Sequence, residues 1–556
     1  MGHGDFTVSN RARILDCRYS RGPLGRGVLE GGNIERQRSL LQHSTESDGA
    51  PNEMKTIKSN PSKSSATSKL QPWAMLMFVI LAVAVPANAA EVIDIGSRLE
   101  LFVDHYLIDH LDGSSLELQE PRPGGVAIEF NEPWEGTGAF IPVVIRGPEK
   151  YHMYYRGFAK YQKGDPFVVE NQCYAESEDG IHWTKPNLGR IEIQWPDRFN
   201  LKPTRDNNAL FKGQGFIPFW DTRPGIPTSE RFKALRAPPR LEVEIGVRAY
   251  VSANGLDWKL MRQEAVYAGD RLTMPFWSES EQCYVQIARI NDERAGSNIR
   301  SLGRSVSPDL FQWTDFEYLD FRDAPPTRKE QFYSCGATAY FRAPHIYLIL
   351  VARFMPGRQA LTDAEVEAAE FPPRSWRDCS DTVLMTSRGN NKIDRTFKEA
   401  FIRPGMGPKN WVTRTNYPGR GIVPTGPAEI SIYVNRHYGQ ISNHIERLTL
   451  RTDGFVSVNA PYAGGEMLTK LLKFSGRELV LNFATGAAGS IRVEIQDQEG
   501  KPIPGFALED CPEIIGDQIE RVVEWRTGSD VGRLAGTPVG LRFVMKEADL
   551  YSIQFQ

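Results

Sequence analysis

The chain has 556 residues, of which 40% are apolar and 10% aromatic, with 49 Gly and 37 Pro. This composition is typical of a turn-rich globular β protein and excludes a coiled coil or a disordered polymer. The formal net charge is −3, and residues 91–556 carry 55 Lys and Arg against 62 Asp and Glu, which excludes a basic nucleic-acid-binding protein.

Two segments precede the globular part of the chain. Residues 1–53 are polar and Arg-rich and are interpreted as a disordered leader or an upstream extension. A secretory signal peptide is predicted over residues 54–89, because a basic start is followed by the apolar run Ala74–Val85 and an A-x-A site ending at Ala89. The run is too short to span a bilayer comfortably. We therefore expect cleavage before Ala90 and a secreted or periplasmic protein without a stable membrane span.

A repeat begins after the signal peptide. Five short apolar runs end in arginine with a mean spacing of 70 residues, at Arg156, Arg236, Arg289, Arg353 and Arg436. Turns that end in tryptophan follow three of the runs: Ser177-Glu-Asp-Gly-Ile-His-Trp183, Ser252-Ala-Asn-Gly-Leu-Asp-Trp258 and Ser305-Val-Ser-Pro-Asp-Leu-Phe-Gln-Trp313. Each repeat contains several short segments rich in β-branched and aromatic residues and no long helix, which is typical of a propeller blade. The sequence therefore predicts an all-β protein with a five-bladed β-propeller over residues 90–455.

The sequence pattern changes after Phe455, where the repeat ends. Four segments alternate apolar and polar residues, as half-buried antiparallel strands do, at 478–483, 490–496, 539–544 and 551–555. This pattern predicts a C-terminal β-sandwich over residues 456–556. The six cysteines, one of them in the leader, show neither a disulfide framework nor a zinc-binding spacing, so buried free thiols and no metal are expected.

The predicted architecture resembles the invertase-like glycosidases of glycoside hydrolase family 32 and their five-bladed relatives in family 43. Arg377-Asp378-Cys379 is similar to the Glu-Cys motif of the invertases, and Phe321-Arg322-Asp323 is similar to their Arg-Asp-Pro motif. Segments such as 400–405 and 489–494 also resemble a group of exported bacterial glycosidase-like proteins. The resemblance implies a glycoside hydrolase that acts on a poly- or oligosaccharide by carboxylate acid/base catalysis, with no cofactor.

Four carboxylates are candidate catalytic residues: Asp104, Glu330, Asp378 and Asp381. The families named above carry an aspartate on the first inner strand of blade one, and residues 101–108 form an apolar segment interrupted by Asp104. Burying an isolated carboxylate is costly, so such an acid must be paired, hydrated or functional. We expect Asp104 to face the central funnel, within about 10 Å of another carboxylate.

Polar residues at strand ends and in turns are candidate glycan-binding residues: Arg156, Glu176, Asn208, Arg342, His345, Arg353, Arg377, Arg436 and His437. Tryptophans that could serve as sugar platforms are Trp134, Trp220, Trp277 and Trp376. A convergence of the arginines predicts a preference for anionic glycans. The alternative is that each arginine is tied to a carboxylate within its own blade. Because the invertase hallmark Trp-Met-Asn-Asp-Pro-Asn-Gly is absent, a non-catalytic carbohydrate-binding propeller is the alternative function.

Overall fold

A computed structural model describes residues 91–160, 168–237, 246–267, 273–293, 299–322, 324–368 and 375–556. The predicted leader and signal peptide lie outside these ranges, as does Asp323. Within the described residues no helix is long and apolar enough to cross a membrane. The helical segments are one α-helix, α1 (Asp363–Ala368), and short 3-10 turns at Asp197–Phe199, Thr228–Glu230, Ser375–Arg377, Pro408–Asn410, Leu508–Asp510 and Gly532–Leu534.

Five strands precede the first complete blade: β1 (Ile93–Gly96), β2 (Glu100–Leu101), β3 (Ile108–Asp112), β4 (Ser115–Leu118) and β5 (Arg122–Glu129). Blade 1 contains β6 (Phe140–Arg146), β7 (Tyr151–Lys160), β8 (Val168–Ser177) and β9 (Ala209–Lys212). Blade 2 contains β10 (Phe216–Trp220), β11 (Phe232–Arg236), β12 (Arg248–Ser252) and β13 (Trp258–Leu260). Blade 3 contains β14 (Thr273–Ser278), β15 (Cys283–Asp292), β16 (Ile299–Ser307) and β17 (Glu317–Tyr318).

Blade 4 contains β18 (Gln331–Tyr340), β19 (Ala343–Met355) and β20 (Cys379–Ser387). Blade 5 contains β21 (Val423–Pro424), β22 (Glu429–Arg436) and β23 (His444–Arg451) and takes its outermost strand, β5, from the N-terminal side of the propeller. Each blade is antiparallel. The first strands of blades 1 to 4 contact one another in order, and β21 of blade 5 contacts β6, around a central channel. The ring closes where Arg420, just before β21, pairs with Val143 of β6.

The repeated runs that end in arginine are the second strands of the five blades, namely β7, β11, β15, β19 and β22, so the predicted five-bladed propeller is confirmed. Two of the turns that end in tryptophan, at 177–183 and 252–258, join neighbouring blades. The Trp258 indole donates to the carbonyl of Gly255 at 2.9 Å, and the Tyr154 hydroxyl of blade 1 donates to the same carbonyl at 2.7 Å. The Tyr433 hydroxyl of blade 5 bonds the carbonyl of Gly180 in the equivalent way. The Gly and Trp residues of these turns therefore have a packing role, because they connect one blade to the next.

The remaining strands form a C-terminal β domain: β24 (Val456–Ala460), β25 (Gly465–Thr469), β26 (Leu472–Phe474), β27 (Leu479–Gln496), β28 (Asp517–Val522) and β29 (Gly540–Phe555). One eight-stranded sheet combines five of them with β2, β3 and β4, while β26 pairs with β1. Its apolar side chains pack into a core that includes Phe483 and Phe543. The expected domain boundary at residue 90 is therefore wrong, because residues 93–118 pair with C-terminal strands instead of with the propeller.

Five cysteines lie in the described residues and all are free thiols, with four of them buried and Cys283 half-buried. The expected thiol state is thus found, and the packing of Cys173 and Cys335 within blade cores gives its reason.

Candidate functional site

The end of the propeller at which the inner strands begin is called the start face here, and the opposite end the exit face. Aromatic and arginine side chains from blades 1, 3, 4 and 5 meet at the start face. They form the mouth cluster: Phe140, Arg289, Arg300, Tyr333, Arg414, Tyr417 and Tyr438. Two guanidinium groups lie over the Tyr333 ring, Arg289 at 5.1 Å and Arg300 at 5.2 Å from its centroid. The cluster thus spans the channel opening.

Further ring contacts connect the mouth cluster across blades. The Tyr333 ring of blade 4 lies 5.2 Å from that of Tyr417, and Phe140 of blade 1 lies 5.2 Å from Tyr438 of blade 5. Arg414 donates to the Tyr438 hydroxyl at 3.2 Å. Burial raises the pKa of Tyr417 well above its ordinary value, so its hydroxyl remains protonated. These contacts hold the rings in fixed orientations.

The backbone is distorted where it presents these side chains. The pairing of β6 with β7 is irregular between Phe140 and Val143, and Ile141 there has a φ of 56°. The pairing of β18 with β19 is irregular at Tyr333, and Arg414 has a φ of 61°. A positive φ is costly for a β-branched residue, and such strain and bulges cluster at functional sites. The distortions occur at or next to three residues of the mouth cluster, Phe140, Tyr333 and Arg414.

The chemistry of the mouth cluster suits a sugar ligand. Aromatic faces pack against the apolar faces of sugar rings, while guanidinium groups donate to hydroxyls and carboxylates. Arg300 is oriented by the Gln331 side-chain oxygen, to which it donates at 2.8 Å. A cavity of about 560 Å³ adjoins the cluster and is lined by Arg289, Arg300, Phe316 and Tyr333. The start face thus offers space, donors and aromatic surface together.

Two of the predicted catalytic acids lie beside the mouth cluster and share one arginine. Arg353 donates to both oxygens of Asp381, at 2.7 and 2.6 Å, and to Glu330 at 3.4 Å. Glu330 also pairs with the buried Arg395. Glu330 comes three residues before Tyr333 in the chain. The structure therefore brings Glu330 and Asp381 together, as an ion-paired group and not as free carboxylates.

The other two predicted acids are placed differently. Asp378 accepts a hydrogen bond from the backbone N–H of Gly357 at 2.7 Å. The expectation that Asp104 lies on an inner strand facing the funnel is wrong. Asp104 follows β2 in the C-terminal β domain and binds Arg388 at 3.1 Å. Arg388 follows β20 at its far end from Asp381, about 20 Å away at the rise of a strand.

Three of the strand-end arginines expected to converge are ion-paired within their own blades, as the alternative prediction requires. Arg156 pairs with Glu170, Arg353 with Asp381, and Arg436 with Glu446. Each carboxylate lies on the third strand of the same blade. Two arginines of the mouth cluster, Arg300 and Arg414, have no carboxylate partner among the described residues.

The remaining predicted binding residues are dispersed. Asn208 is buried and bonds the Trp134 indole at 2.9 Å, which removes both residues from a binding surface. Glu176 pairs with Lys150 at 2.6 Å, and His345 with Glu100 at 3.0 Å, both toward the exit face. Arg342 pairs there with Asp453 and Glu520. Arg377 is exposed and stacks on Trp376.

His437 is the last of the predicted binding residues and lies near the mouth cluster. Its imidazole contacts the Ser442 hydroxyl at 3.0 Å and packs edge-on against His444. Burial, assisted by the charge of His444, lowers the pKa of His437 to about 4. It is therefore a neutral hydrogen-bonding group at pH 7.

Sequence reasoning missed most of the mouth cluster. Phe140, Arg300, Arg414, Tyr417 and Tyr438 occupy strand starts and loops with no repeated pattern, and only Arg289 was marked, as the end of a repeated run. The available signal was Tyr333 at the start of the fourth inner strand. Within the described ranges no group of three or more His, Cys, Asp or Glu side chains is placed to hold a metal ion.

Comparison with known proteins gives matches at the level of fold alone. No family model matches the chain, and no curated protein does. A solved structure described as a glycoside hydrolase has 10% identity and a TM-score of 0.39, covering 60% of this chain and 92% of its own. The β-1,2-mannobiose phosphorylase of Listeria innocua has 12% identity and a TM-score of 0.34, with 56% and 89% covered.

A third similar structure represents the GH130 family of mannoside phosphorylases, described as containing glycoside hydrolases that target β-1,2-mannosidic linkages in Candida mannan. It has 15% identity and a TM-score of 0.35, and the match covers 62% of this chain and 95% of that one.

Proposed function

We propose that this protein is a glycoside hydrolase that binds its glycan across the mouth cluster. The observation that carries the proposal is that Arg289 and Arg300 both lie over the half-buried Tyr333 ring beside a cavity of about 560 Å³. The rings of Phe140, Tyr417 and Tyr438 are buried in the core cluster against which Tyr333 packs. Aromatic platforms combined with oriented donors are the usual means of binding a sugar ring.

Glu330 and Asp381 are the acids that would act on a glycan bound there. Glycosidases use one carboxylic acid to protonate the leaving oxygen and a second carboxylate as base or nucleophile. Arg353 bridges the two groups, and Arg395 adds a second charge to Glu330. For catalysis, a bound glycan would displace at least one of these arginine contacts.

A non-catalytic carbohydrate-binding propeller is the second candidate function. The observation that favours it is that Glu330 and Asp381 are both held in ion pairs, a state that serves structure as well as chemistry. The mouth cluster supports glycan binding under either function.

A preference for anionic glycans is part of the proposal. It rests on Arg300 and Arg414, whose positive charges are uncompensated by carboxylates of the described residues. Guanidinium groups bind carboxylates and sulfates through charge-assisted hydrogen bonds. Equal binding of neutral and uronate-containing polysaccharides, insensitive to salt between 20 and 500 mM, would contradict this part.

The binding site is tested by Tyr333→Ala. The substitution removes the platform shared by Arg289 and Arg300, and we expect a loss of at least tenfold in affinity for whichever polysaccharide of a panel binds. Tyr462→Ala is the matched control, since Tyr462 is 65% exposed in the C-terminal β domain. Equal affinities of the two variants would refute the proposed site.

Catalysis is tested by measuring release of reducing ends from the same panel with Glu330→Gln and Asp381→Asn. If the protein is a hydrolase that uses these acids, each variant should keep glycan binding and lose turnover by orders of magnitude. Binding without any turnover by the unmodified protein would identify the carbohydrate-binding function instead. Full activity in both variants would exclude these two acids.

A further inference from the structure

A second cavity lies at the opposite end of the channel, where the inner strands terminate. It has a volume of about 320 Å³ and is lined on several sides by aromatic rings: Phe219, Trp220, Phe276, Trp277 and Phe341. This exit-face pocket shares no lining residue with the mouth cluster. On β18, Tyr333 faces the mouth, whereas Thr338–Tyr340 line the pocket, about 20 Å further along the strand.

Arg420 projects into this pocket from the segment that closes the ring. It is 6% exposed and lies over the Phe219 ring, yet its Nη1 has no hydrogen-bond partner. No carboxylate among the described residues pairs with it. Burying a charge without a partner costs several kcal/mol, roughly, so such a group requires a counter-ion.

The backbone holds Arg420 firmly in this position. Gly419 and Gly421 flank it, and a Cβ on Gly421 would lie 2.2 Å from the Val144 carbonyl oxygen, so only glycine permits the packing against β6. The Arg420 amide donates to the Pro142 carbonyl at 2.9 Å, and the Val144 amide donates to the Arg420 carbonyl at 2.8 Å. The guanidinium is therefore presented by a rigid segment.

The groups around Arg420 do not supply its counter-charge. Burial lowers the pKa of Arg420 to about 9, which leaves it charged at pH 7. Burial also raises the pKa of the neighbouring Cys335 thiol to about 12, so Cys335 stays neutral. At the rim, Arg146 and Glu279 are exposed and of opposite charge. Trp277 adds a second buried donor without a partner, its indole N–H.

We propose that the exit-face pocket is a second binding site, which takes the carboxylate of a small organic acid with an apolar face, of the uronic acid class. The carboxylate pairs with Arg420, and the ring packs against Trp220 and Phe341. The pocket is large enough for an organic ligand, since about 300 Å³ is the lower end of ligand sites, and too large to be filled by an inorganic ion.

The test is calorimetric titration of the full chain with D-galacturonate and with D-galactose, its neutral counterpart. We expect galacturonate to bind at least tenfold more tightly and to raise the melting temperature, while galactose does neither. Arg420→Met should remove this tight binding of galacturonate and its effect on the melting temperature, and any weaker binding that remains belongs to the mouth cluster. Arg477→Met is the matched control, since Arg477 is 78% exposed in the C-terminal β domain, outside both proposed sites, and its loss should leave galacturonate binding unchanged.

Two further measurements complete the test. Phe341→Ala changes an exposed wall residue, so it keeps the fold and should weaken galacturonate binding at least fivefold even if Arg420→Met proves unstable. Trigalacturonate distinguishes a polymer end from a free monosaccharide as the occupant. No preference for galacturonate over galactose, or equal protection by sulfate, would overturn the proposal. Loss of galacturonate binding in Arg414→Met with retention in Arg420→Met would overturn it too and place that binding at the mouth cluster.

Discussion

Arginine side chains in this protein differ in what neutralises them, and the difference separates structural from binding roles. Arg156, Arg353 and Arg436 each pair with a carboxylate on the next strand of the same blade. Such half-buried pairs fasten strands together at the start face. Arg300 and Arg414 instead have neutral hydrogen-bond partners, and Arg420 has none. Ligand binding is therefore expected at the arginines without a carboxylate partner, Arg300, Arg414 and Arg420.

A buried histidine makes stability depend on pH. His152 lies between blades 1 and 2, 2.9 Å from the Tyr174 hydroxyl and edge-on to Phe232. Burial, assisted by the charge of Lys150, lowers its pKa from 6.5 to about 4. Between these values the unfolded chain binds a proton that the folded protein does not. The contribution of neutral His152 to the unfolding free energy is thus fully present above pH 6.5 and is lost as the pH falls toward 4.

We expect His152→Gln to weaken this pH dependence. Urea unfolding at pH 7.5 and pH 4.5 should show a drop in unfolding free energy that is smaller in the variant by about 2 kcal/mol. Because each protein is compared with itself at two pH values, the loss of packing caused by the substitution cancels from the difference in unfolding free energy. His437 titrates in the same direction and remains in both proteins. An equal drop in both would contradict the assignment to His152.

At the scale of the element, the segment that closes the ring is constrained most tightly. Gly421 has a φ of 112° and no room for a Cβ. We expect Gly421→Ala to destabilise the protein by at least about 2 kcal/mol more than Gly189→Ala. Gly189 also has a positive φ, 62°, but has open space around it, so it controls for backbone strain alone. Denaturant midpoints measure the difference, and equal midpoints would disprove the steric argument.

The repeated elements were predictable from the sequence, because each second strand must fill the same position between two blades. Tyr154 and Tyr433 donate hydrogen bonds to turn carbonyls of neighbouring blades. Because the same packing role recurs in each blade, the residues that fill it recur periodically in the sequence. The residues of the mouth cluster show no such periodic pattern. Tyr417, Tyr438 and Arg414 occupy irregular segments whose approach depends on how blades 4, 5 and 1 meet.

The error over Asp104 has a related cause. An apolar segment interrupted by one acid is equally typical of an inner strand and of a domain junction, because the apolar residues on either side of the acid are buried in both. The partner that distinguishes the two, Arg388, lies 284 residues away in the chain. Pairing at that distance has no local signature.

At the scale of the molecule, one buried ion cluster connects the propeller to the C-terminal β domain. Arg388, which follows β20, binds Glu100 at 2.7 Å and Asp104 at 3.1 Å, and His345 also binds Glu100. Neighbouring positive groups lower the pKa of Glu100 despite the opposing effect of its burial. The cluster is satisfied only when both parts of the chain are folded together.

We expect Arg388→Met to lower the unfolding free energy by about 3–5 kcal/mol, because it leaves the buried Asp104 without a cation and Glu100 with Arg98 and His345 as its basic partners. Calorimetry should show an earlier melting transition or two separate ones. Arg477→Met is the control, since Arg477 is 78% exposed and its pair with Asp530 lies in solvent. A melting curve unchanged by Arg388→Met would show that the cluster does not couple the two parts.

Export is a prediction that rests on sequence alone. The basic, apolar and A-x-A succession over residues 54–89 predicts removal of the signal peptide before Ala90. N-terminal sequencing of protein from its native host should begin near Ala90 or Glu91. Retention of the apolar run in the mature protein would indicate a membrane anchor instead.

The pairing of β4 with β24 has a consequence for synthesis on the ribosome. Leu118 emerges long before its partner Val456, β3 waits for β25, and β2 waits longer still for β29. At about 5–20 residues per second, β4 remains without its partner for roughly 20–70 s. During that interval its open edge can pair with other chains. A circular permutant carrying residues 91–118 after Gln556 would shorten the delay, and its yield of soluble protein should exceed that of the natural order when translation is slowed.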